Sequence, residues 1–363
     1  MKPKTILLAL SGGVDSAVAA LLLKKKRYKI IGAFMKNFSD TKNKITNECN
    51  WIEDYKMAQK IAAHLNIPLV LLDFEKAYKK SVIEPMFLAY SKGLTPNPDI
   101  ACNTIIKFPL LWREAKKLKA DYIATGHYVR IIKKSKGYQL LQGKDVSKDQ
   151  SYFLHELAQK DLSHTLFPIG EITKKEVRSI AKKNKLPNHD RPSTKGVCFI
   201  GNMPMKTILE KKLKQKIGKV INERGQVIGW HKGVHYYTTG ERARPSTGIE
   251  IIKKELSQKR FFIAEKNIKN NTLLVVPEGH PKLKKAIFYI KKMHWINPSN
   301  NNKKINVKVR IRHLGPFLQS SLKKLKTHYI CTLSKPIEGI AEGQYAVFYK
   351  KNIVLGGGEI RFR

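Results

Sequence analysis

The chain has 363 residues, which is enough for two or three domains with a substantial hydrophobic core. Its four cysteines form no Cys-x-x-Cys pair, and no uninterrupted apolar run approaches the length of a membrane span, which argues against a structural zinc site and a membrane protein. We therefore expect a globular protein with no metal ligand set and no membrane association. We also expect a reducing, cytoplasmic compartment, where paired cysteines are more often catalytic than structural.

Charge is the most unusual feature of the composition. The chain carries 70 Lys and Arg residues against 28 Asp and Glu residues, a formal net charge of +42. Such an excess of cations predicts a polyanionic partner, such as a nucleic acid. A bias towards Lys, Ile and Asn along the whole sequence also contributes, so the size of the charge overstates the case for nucleic-acid binding.

The first chemical motif is Ser11-Gly12-Gly13-Val14-Asp15-Ser16. It stands between residues 6–10, an apolar run that predicts a buried strand, and residues 17–23, which predict a helix. A strand that turns through two glycines into a helix points backbone N–H groups at one place, with the positive end of the helix dipole behind them. The motif therefore predicts a phosphate site, where two serine hydroxyls add donors and Asp15 holds magnesium or caps the helix.

This loop lacks the Gly-Lys-Ser/Thr ending of a Walker A motif. Its pattern, Ser-Gly-Gly-x-Asp-Ser, resembles the pyrophosphatase loop of enzymes that split ATP between the α and β phosphates and activate an oxygen as its adenylate. The alternative is an ordinary glycine turn between a strand and a helix.

Strands and helices alternate through the first two hundred residues. Further strands are predicted at residues 30–35, 68–72 and 122–125, and helical spacing recurs over residues 52–65 and 82–90. This alternation predicts a doubly wound parallel sheet with helices on both faces, whose ligands lie at the carboxyl ends of the strands. Thr173 and Glu176 form a capping box for one more helix, which should end before Pro187.

From about residue 216 the sequence changes to short β-rich runs separated by Gly and Asn turns. Residues 305–311 alternate apolar and polar side chains, which predicts a half-buried strand whose polar face carries cations. The last fifty residues favour a small β-barrel. We expect a catalytic domain at residues 1–205, a central β-rich domain at 206–280 and a C-terminal β-barrel that contacts RNA at 281–363.

A second motif, residues 96–103, contains Asn97, Pro98, Asp99 and Cys102. Its two prolines predict an extended loop that presents these side chains. A carboxylate three residues from a thiol suits proton transfer beside a nucleophile, although an Asp near a Cys in a loop is common. Cys198 lies between glycines, and a nearby lysine could lower the pKa of its thiol and make it reactive. The alternative interpretation is a buried, apolar cysteine without a chemical role.

Taken together, several motifs resemble the bacterial tRNA-specific 2-thiouridylases of the MnmA type, within the pyrophosphatase-loop ATPases. The resemblance runs in order along essentially the whole chain. Its motifs are Ser11 to Ser16, Asn97 to Asn103, Thr125 to Tyr128, Lys148 to Leu154, Phe167 to Gly170, Gly196 to Gly201, Tyr236 to Gly240, Glu338 to Tyr349 and Leu355 to Gly358.

The resemblance implies ATP-dependent 2-thiolation of the wobble uridine in tRNAs for Lys, Glu and Gln. ATP with Mg²⁺ would adenylate the C2 oxygen, and a persulfide on Cys198, loaded by a sulfur-donor protein, would displace AMP with Cys102 as partner thiol. Asp99 would be the acid or base. The implied ATP-binding residues are Ala9, Leu10, Ser11, Gly12, Gly13, Val14, Asp15, Ser16, Met35 and Gly126. The implied contacts to the base or to tRNA are Asn97, Pro98, Asp99, His127, Lys148, Asp149, Gln150, Arg310, Ile311 and Gln344.

Two other functions compete with this interpretation. An adenylating ligase or sulfurtransferase acting on a small molecule would explain the phosphate loop, but not the charge, the paired cysteines or the C-terminal barrel. A non-catalytic RNA-binding protein would explain the charge, but not the retained Asp15, Cys102 and Cys198.

Overall fold

The computed structural model describes residues 3–39, 49–192, 205–252, 260–298 and 304–362. The first part of the chain forms a five-stranded parallel sheet in the order β3-β2-β1-β4-β7. Its strands are β1 (Thr5–Ala9), β2 (Lys29–Lys36), β3 (Leu69–Asp73), β4 (Tyr122–Ala124) and β7 (Thr165–Leu166).

Helices cover both faces of this sheet, as the sequence predicts. They are α1 (Val14–Lys25), α2 (Asn50–His64), α3 (Glu75–Tyr78), α4 (Glu84–Ser91), α5 (Pro98–Ala101), α6 (Phe108–Lys117), α7 (Gln159–Ser163) and α8 (Lys174–Lys183). A further helix, α9 (Met205–Glu210), precedes the central β-rich part. Alternate side chains of β1 point to opposite sides because a strand has a period of two. Leu7 and Ala9 enter the core that includes α3, α4 and α6, whereas Ile6, Leu8 and Leu10 enter the core that includes α1, α2 and α8.

Shorter helical turns connect these elements. Two π-helical segments, Lys79–Ile83 and Cys102–Lys107, join α3 to α4 and α5 to α6. The 3₁₀ turns among the described residues include Ser151–Leu154, Val234–Tyr236, Pro245–Thr247 and Pro281–Leu283. The predicted capping box at the start of α8 is confirmed, since the Thr173 hydroxyl and N–H both donate to Glu176 and the Glu176 N–H donates back to the Thr173 hydroxyl.

The central β-rich part is a six-stranded sheet in the order β10-β12-β13-β8-β9-β11. Its strands are β8 (Gly218–Ile221), β9 (Val227–His231), β10 (Arg242–Ala243), β11 (Ile249–Ile251), β12 (Phe261–Asn267) and β13 (Thr272–Pro277). All neighbouring pairs are antiparallel except β13 with β8, which are parallel.

The C-terminal part closes into a barrel, as predicted. Six strands follow one another around it in the order β14-β18-β17-β16-β19-β20, and β20 pairs again with β14. They are β14 (Lys284–Ile290), β16 (Ile305–Arg310), β17 (Leu318–Lys324), β18 (Tyr329–Glu338), β19 (Tyr345–Lys350) and β20 (Ile353–Arg361), with the short β15 (His294–Trp295) paired to β20.

One hairpin joins the first part of the chain to this barrel. Its strands, β5 (Val129–Lys134) and β6 (Gly137–Gln142), pair with each other, and β6 continues the barrel sheet through Ile353 opposite Leu141 and Val354 opposite Leu140. No sequence pattern predicted this hairpin. Within the described ranges, no helix is long and apolar enough to cross a membrane.

Candidate active site and nucleic-acid interface

The predicted phosphate loop connects β1 to α1 at the carboxyl end of the parallel sheet. Gly12 has a φ angle of +78°, which glycine adopts without the clash that a Cβ atom would bring. The Ser16 hydroxyl donates to the Gly13 carbonyl at 2.9 Å and accepts from the Ser11 N–H at 3.2 Å, so it braces the turn from inside. No side chain caps α1 at Gly13. The positive end of the α1 dipole therefore lies directly behind the loop.

The loop is also held from behind by residues distant in sequence. The Gly12 carbonyl accepts from the Asn188 side-chain amide at 2.9 Å and from the Arg191 guanidinium at 3.3 Å. Arg191 is anchored by Asp54 on α2, with 2.6 Å between Nη2 and Oδ1. A Cβ atom on Gly12 would come within 2.5 Å of the Asp54 carbonyl oxygen. Glycine is therefore required here by close approach as well as by φ.

Asp15 is the carboxylate of the loop, and it already has two donors. Its Oδ1 accepts from the Lys174 ammonium at 2.6 Å and from the Tyr128 hydroxyl at 2.7 Å. Burial and the nearby Asp15 charge raise the pKa of Tyr128, so its hydroxyl stays protonated and donates at neutral pH. This cluster ties the start of α1 to the start of α8 and to the segment after β4.

The other predicted ATP-binding residues lie at the same edge of the sheet. Ala9 ends β1, and Met35, near the end of β2, is buried on the neighbouring strand. Gly126 follows β4, and a Cβ atom there would lie 2.9 Å from the Ser16 nitrogen and the Asp15 carbonyl carbon. The fold thus brings the whole predicted set to the carboxyl ends of three adjacent strands, where parallel sheets bind ligands.

The prediction of an extended loop at residues 96–103 is wrong. Asn97 caps α5 by accepting from the Ile100 N–H at 3.3 Å, and Pro98 occupies the first turn, where its missing N–H costs nothing. Asp99 lies in that helix, and its carbonyl accepts from the Asn103 side chain at 2.9 Å. Cys102 opens the following π-helical segment and is fully buried. The two prolines start a helix here instead of preventing one.

The remaining cysteines differ in their surroundings. Cys198 lies in residues 193–204, outside the described residues. The Cys49 thiol is partly exposed and donates to the Ser39 carbonyl at 3.1 Å. Cys331 lies in the barrel core, where burial raises its pKa to about 12, so its thiol is protonated at neutral pH.

His127, which follows Gly126 in the chain, is buried. Its Nδ1 lies 2.7 Å from the Thr125 hydroxyl, its Nε2 lies 3.4 Å from the Lys107 ammonium, and its ring stacks on Phe108. Burial, and then the Lys107 charge, lower the pKa of His127 well below its ordinary value. The imidazole is therefore neutral at physiological pH.

Asp149 and Arg310 form a buried ion pair between the first part of the chain and the barrel. The carboxylate and guanidinium are 2.6 Å apart, with 0% and 7% of the side chains exposed. Asp149 also accepts from Gln142, the Gly143 N–H, and the N–H and hydroxyl of Ser151. The guanidinium lies 4.0 Å from the centre of the Phe317 ring. Arg310, which the sequence placed on a polar strand face, is thus covered, whereas Lys308 on the same strand is exposed.

The other predicted RNA contacts lie around this junction. The Gln344 side chain donates to the Thr95 carbonyl at 3.0 Å, and the Gln150 side chain accepts from the Tyr128 N–H at 3.0 Å. Ile311 is buried, and Lys148 is exposed to solvent. Contact of these residues with tRNA stays a prediction.

Comparisons with known proteins cover nearly the whole chain. Residues 4–202 match the family described as "tRNA methyl transferase HUP domain". Residues 206–277 match the "tRNA methyl transferase PRC-barrel domain", and residues 285–360 match the "Aminomethyltransferase beta-barrel domain". The tRNA-specific 2-thiouridylase MnmA of Malacoplasma penetrans is 39% identical over 374 residues, covering 99% of this chain and 98% of that protein. The proteins of the same name from Flavobacterium johnsoniae and Chlamydia pneumoniae are 35% and 38% identical over 98% of this chain, covering 100% and 97% of their own lengths.

The chain belongs to the MnmA family of tRNA-specific 2-thiouridylases.

Within this 2-thiouridylase fold, several residues that surround the phosphate loop were missed from the sequence. Asn188 and Arg191 carry no local motif, and only the packing of α2 and α8 behind the loop brings them to Gly12. Lys174 lies within the predicted capping box and Tyr128 within a quoted motif, but the contact of either residue with Asp15 was not predicted from the sequence. The described residues contain no group of three or more His, Cys, Asp or Glu side chains placed to hold a metal ion.

Gly126→Ala should weaken ATP binding by about tenfold or more, because the added methyl group forces the backbone at Asp15 and Ser16 to move. Equilibrium binding of ATP measures this effect. Gly279→Ala is the control, since Gly279 has a φ of +80° in an exposed turn with open space around its Cβ position. That variant should lose some stability but no ATP affinity. Equal ATP affinity in the two variants would contradict the close contact at Gly126.

Arg310→Ala should lower the free energy of unfolding by about 3–5 kcal/mol, because it leaves the Asp149 charge buried without its partner. Denaturant unfolding followed by far-UV circular dichroism measures the loss. Lys308→Ala removes an exposed cation from the same strand and should change stability by no more than about 0.5 kcal/mol. Similar losses in both variants would show that the pair contributes little.

Proposed function

We propose that this chain is an ATP-dependent transferase that replaces the C2 oxygen of the wobble uridine of tRNA by sulfur, in tRNAs for Lys, Glu and Gln. The proposal is carried by one observation: relatives named tRNA-specific 2-thiouridylase match it along essentially their full length. The phosphate loop supports the use of ATP, and the net charge of +42 supports the binding of a nucleic acid. We place the enzyme in the cytoplasm, where tRNA is found.

The first step is adenylation of the uridine. The C2 oxygen attacks the α-phosphorus of ATP, the bond from that phosphorus to the pyrophosphate oxygen breaks, and pyrophosphate leaves with the bonding electrons. We assign ATP binding to residues 9–16, Met35 and Gly126. This step is needed because a carbonyl oxygen is a poor leaving group until it is esterified with AMP.

Magnesium fits the oxygen donors of the loop. Asp15 would supply a carboxylate oxygen, and Ser11 and Ser16 would supply hydroxyl oxygens at the N-terminal end of α1. A bound ion would neutralise part of the phosphate charge. The chain's own contribution is to hold the loop rigidly, through Asn188 and Arg191 on the Gly12 carbonyl.

The second step transfers sulfur. A donor protein loads Cys198 as a persulfide, whose terminal sulfur attacks C2 and displaces AMP. The Cys102 thiolate then attacks the inner sulfur, which releases 2-thiouridine and leaves a Cys102–Cys198 disulfide for an external thiol to reduce. Asp99 takes the proton of the Cys102 thiol. Because Cys102 is buried in this conformation, the transfer requires that tRNA binding opens its surroundings.

Recognition of tRNA is assigned to two groups of residues. Asn97, Pro98 and Asp99 meet the target base, which must leave its stack to reach the thiols. His127, Lys148, Asp149, Gln150, Arg310, Ile311 and Gln344 form the second group. Lys148 is the exposed member of this stretch, whereas Asp149, Arg310 and Ile311 are buried, and Asp149 pairs with Arg310.

Cys102→Ser and Cys198→Ser should each abolish 2-thiouridine formation, because either change removes one sulfur atom from the relay. Purified enzyme is incubated with ATP, unmodified tRNA and a persulfide donor, and nucleosides are analysed by mass. The same assay separates an oxygen-to-sulfur exchange from methylation, since their masses differ. A methylated product, or adenylation of a small molecule without a change in tRNA, would contradict the proposed function.

Cys49→Ser and Cys331→Ala serve as controls, because one thiol is partly exposed and bound to a carbonyl while the other lies in the barrel core. Both should retain 2-thiouridine formation. Peptide mapping after one turnover without reductant should find a Cys102–Cys198 disulfide. A bond that involves Cys49 or Cys331, or thiolation that survives in Cys102→Ser, would reassign the relay.

A further inference from the structure

Lys174 stands in an unusual position for a lysine. Its ammonium lies 2.6 Å from Asp15 Oδ1, and its side chain is only 15% exposed. Its own backbone N–H donates to Asp145 Oδ2 at 2.9 Å, and the capping box of Thr173 and Glu176 fixes the helix start from which it projects. The fold therefore directs this cation to the phosphate loop.

Arg191 is the other cation described at the loop, and it has a different role. Its guanidinium bonds to the Gly12 carbonyl and to Asp54, so its donors hold protein groups together behind the turn. The Lys174 partner is Asp15, in the first turn of α1, where the backbone N–H groups have no helical acceptor. A lysine ammonium has three N–H donors, and one suffices for Asp15.

The adenylation step of the proposed function would be helped by a cation beside the phosphates of ATP. The assignment made below for Lys174 rests on that proposed function. When the bond to the α-phosphorus breaks, its electron pair and the accumulated negative charge stay on the pyrophosphate. Walker A loops meet charge on the outer phosphates with a lysine inside the loop. Residues 11–16 contain no lysine, so a lysine that meets this charge comes from elsewhere in the fold.

We propose that Lys174 binds the β- and γ-phosphates of ATP and stabilises pyrophosphate as it leaves. In the free protein, Asp15 holds the ammonium beside the loop. When nucleotide binds, the remaining N–H donors of the ammonium bond to phosphate oxygens, which are strong acceptors for charged donors. Nothing in this role requires the α-phosphate or the adenosine to contact Lys174.

The test compares ligands that differ in their phosphates. Binding of inorganic pyrophosphate, of a non-hydrolysable ATP analogue and of AMP to the full chain is measured by calorimetry at fixed magnesium. Lys174→Gln should weaken pyrophosphate and the ATP analogue by about tenfold and change AMP by less than about twofold. Lys175→Gln removes the same charge from the next residue, which is exposed, and should bind all three ligands like the parent protein.

A purely structural role of Lys174 predicts a different pattern. If the lysine only orients Asp15, Lys174→Gln should weaken all three ligands alike, and Tyr128→Phe, which removes the second donor to Asp15, should reproduce that pattern. Either a uniform loss or an unchanged affinity for pyrophosphate in Lys174→Gln would overturn the proposal. Thermal unfolding of each variant identifies any that fails to fold, and for such a variant Lys174→Met, which keeps the stem but not the charge, replaces it.

These measurements are independent of tRNA thiolation. A parent protein that binds pyrophosphate through Lys174 but forms no 2-thiouridine would contradict the proposed function and leave the assignment of Lys174 standing. Active thiolation by the parent protein, together with unchanged pyrophosphate affinity in Lys174→Gln, would support the proposed function and contradict the assignment of Lys174.

Discussion

The structure depends on one constraint at the end of β1, where the loop backbone must be fixed in position although the first N–H groups of α1 have no acceptor within the helix. No side chain caps α1 at Gly13. The fold resolves this by holding the other side of the same peptides. Asn188 and Arg191 bind the Gly12 carbonyl, and the Ser16 hydroxyl binds the Gly13 carbonyl. Arg191 is in turn anchored to α2 by Asp54, so helices on one face of the sheet determine the loop geometry.

A second junction fixes the barrel to the catalytic sheet. The β5–β6 hairpin, which emerges from the carboxyl edge of the sheet after β4, extends the barrel sheet through β20. Beneath it, Asp149 and Arg310 form an ion pair that also satisfies Gln142 and Ser151. Loss of either partner would leave the other charge buried and unpaired, which destabilises the folded protein. The two side chains can meet only in one relative placement of the two parts. The basic barrel strand is thereby held at a fixed position relative to the phosphate loop.

Cys102 illustrates how a local sequence pattern can mislead. Two prolines within three residues suggested an extended segment, but Asn97 followed by Pro98 is also the start of a helix, with Asn as cap and Pro in the first turn. The two conformations have the same local sequence, and the choice between them is made by burial. In the structure the Asn97 side chain accepts from the Ile100 N–H, and Ile100, Cys102 and Ile106 are all buried in the core that includes α3, α4 and α6.

The sequence alone determined the alternating strands and helices, the barrel, the phosphate loop and the resemblance to 2-thiouridylases, because hydrophobic periodicity and short glycine motifs act over a few neighbouring residues. Only the tertiary structure placed Lys174 and Tyr128 on Asp15, and Asn188 and Arg191 on Gly12. It also decided that Arg310 is buried against Asp149, 161 positions away. These contacts join residues far apart in the chain and belong to no repeating pattern, so they arise only when helices and strands pack together.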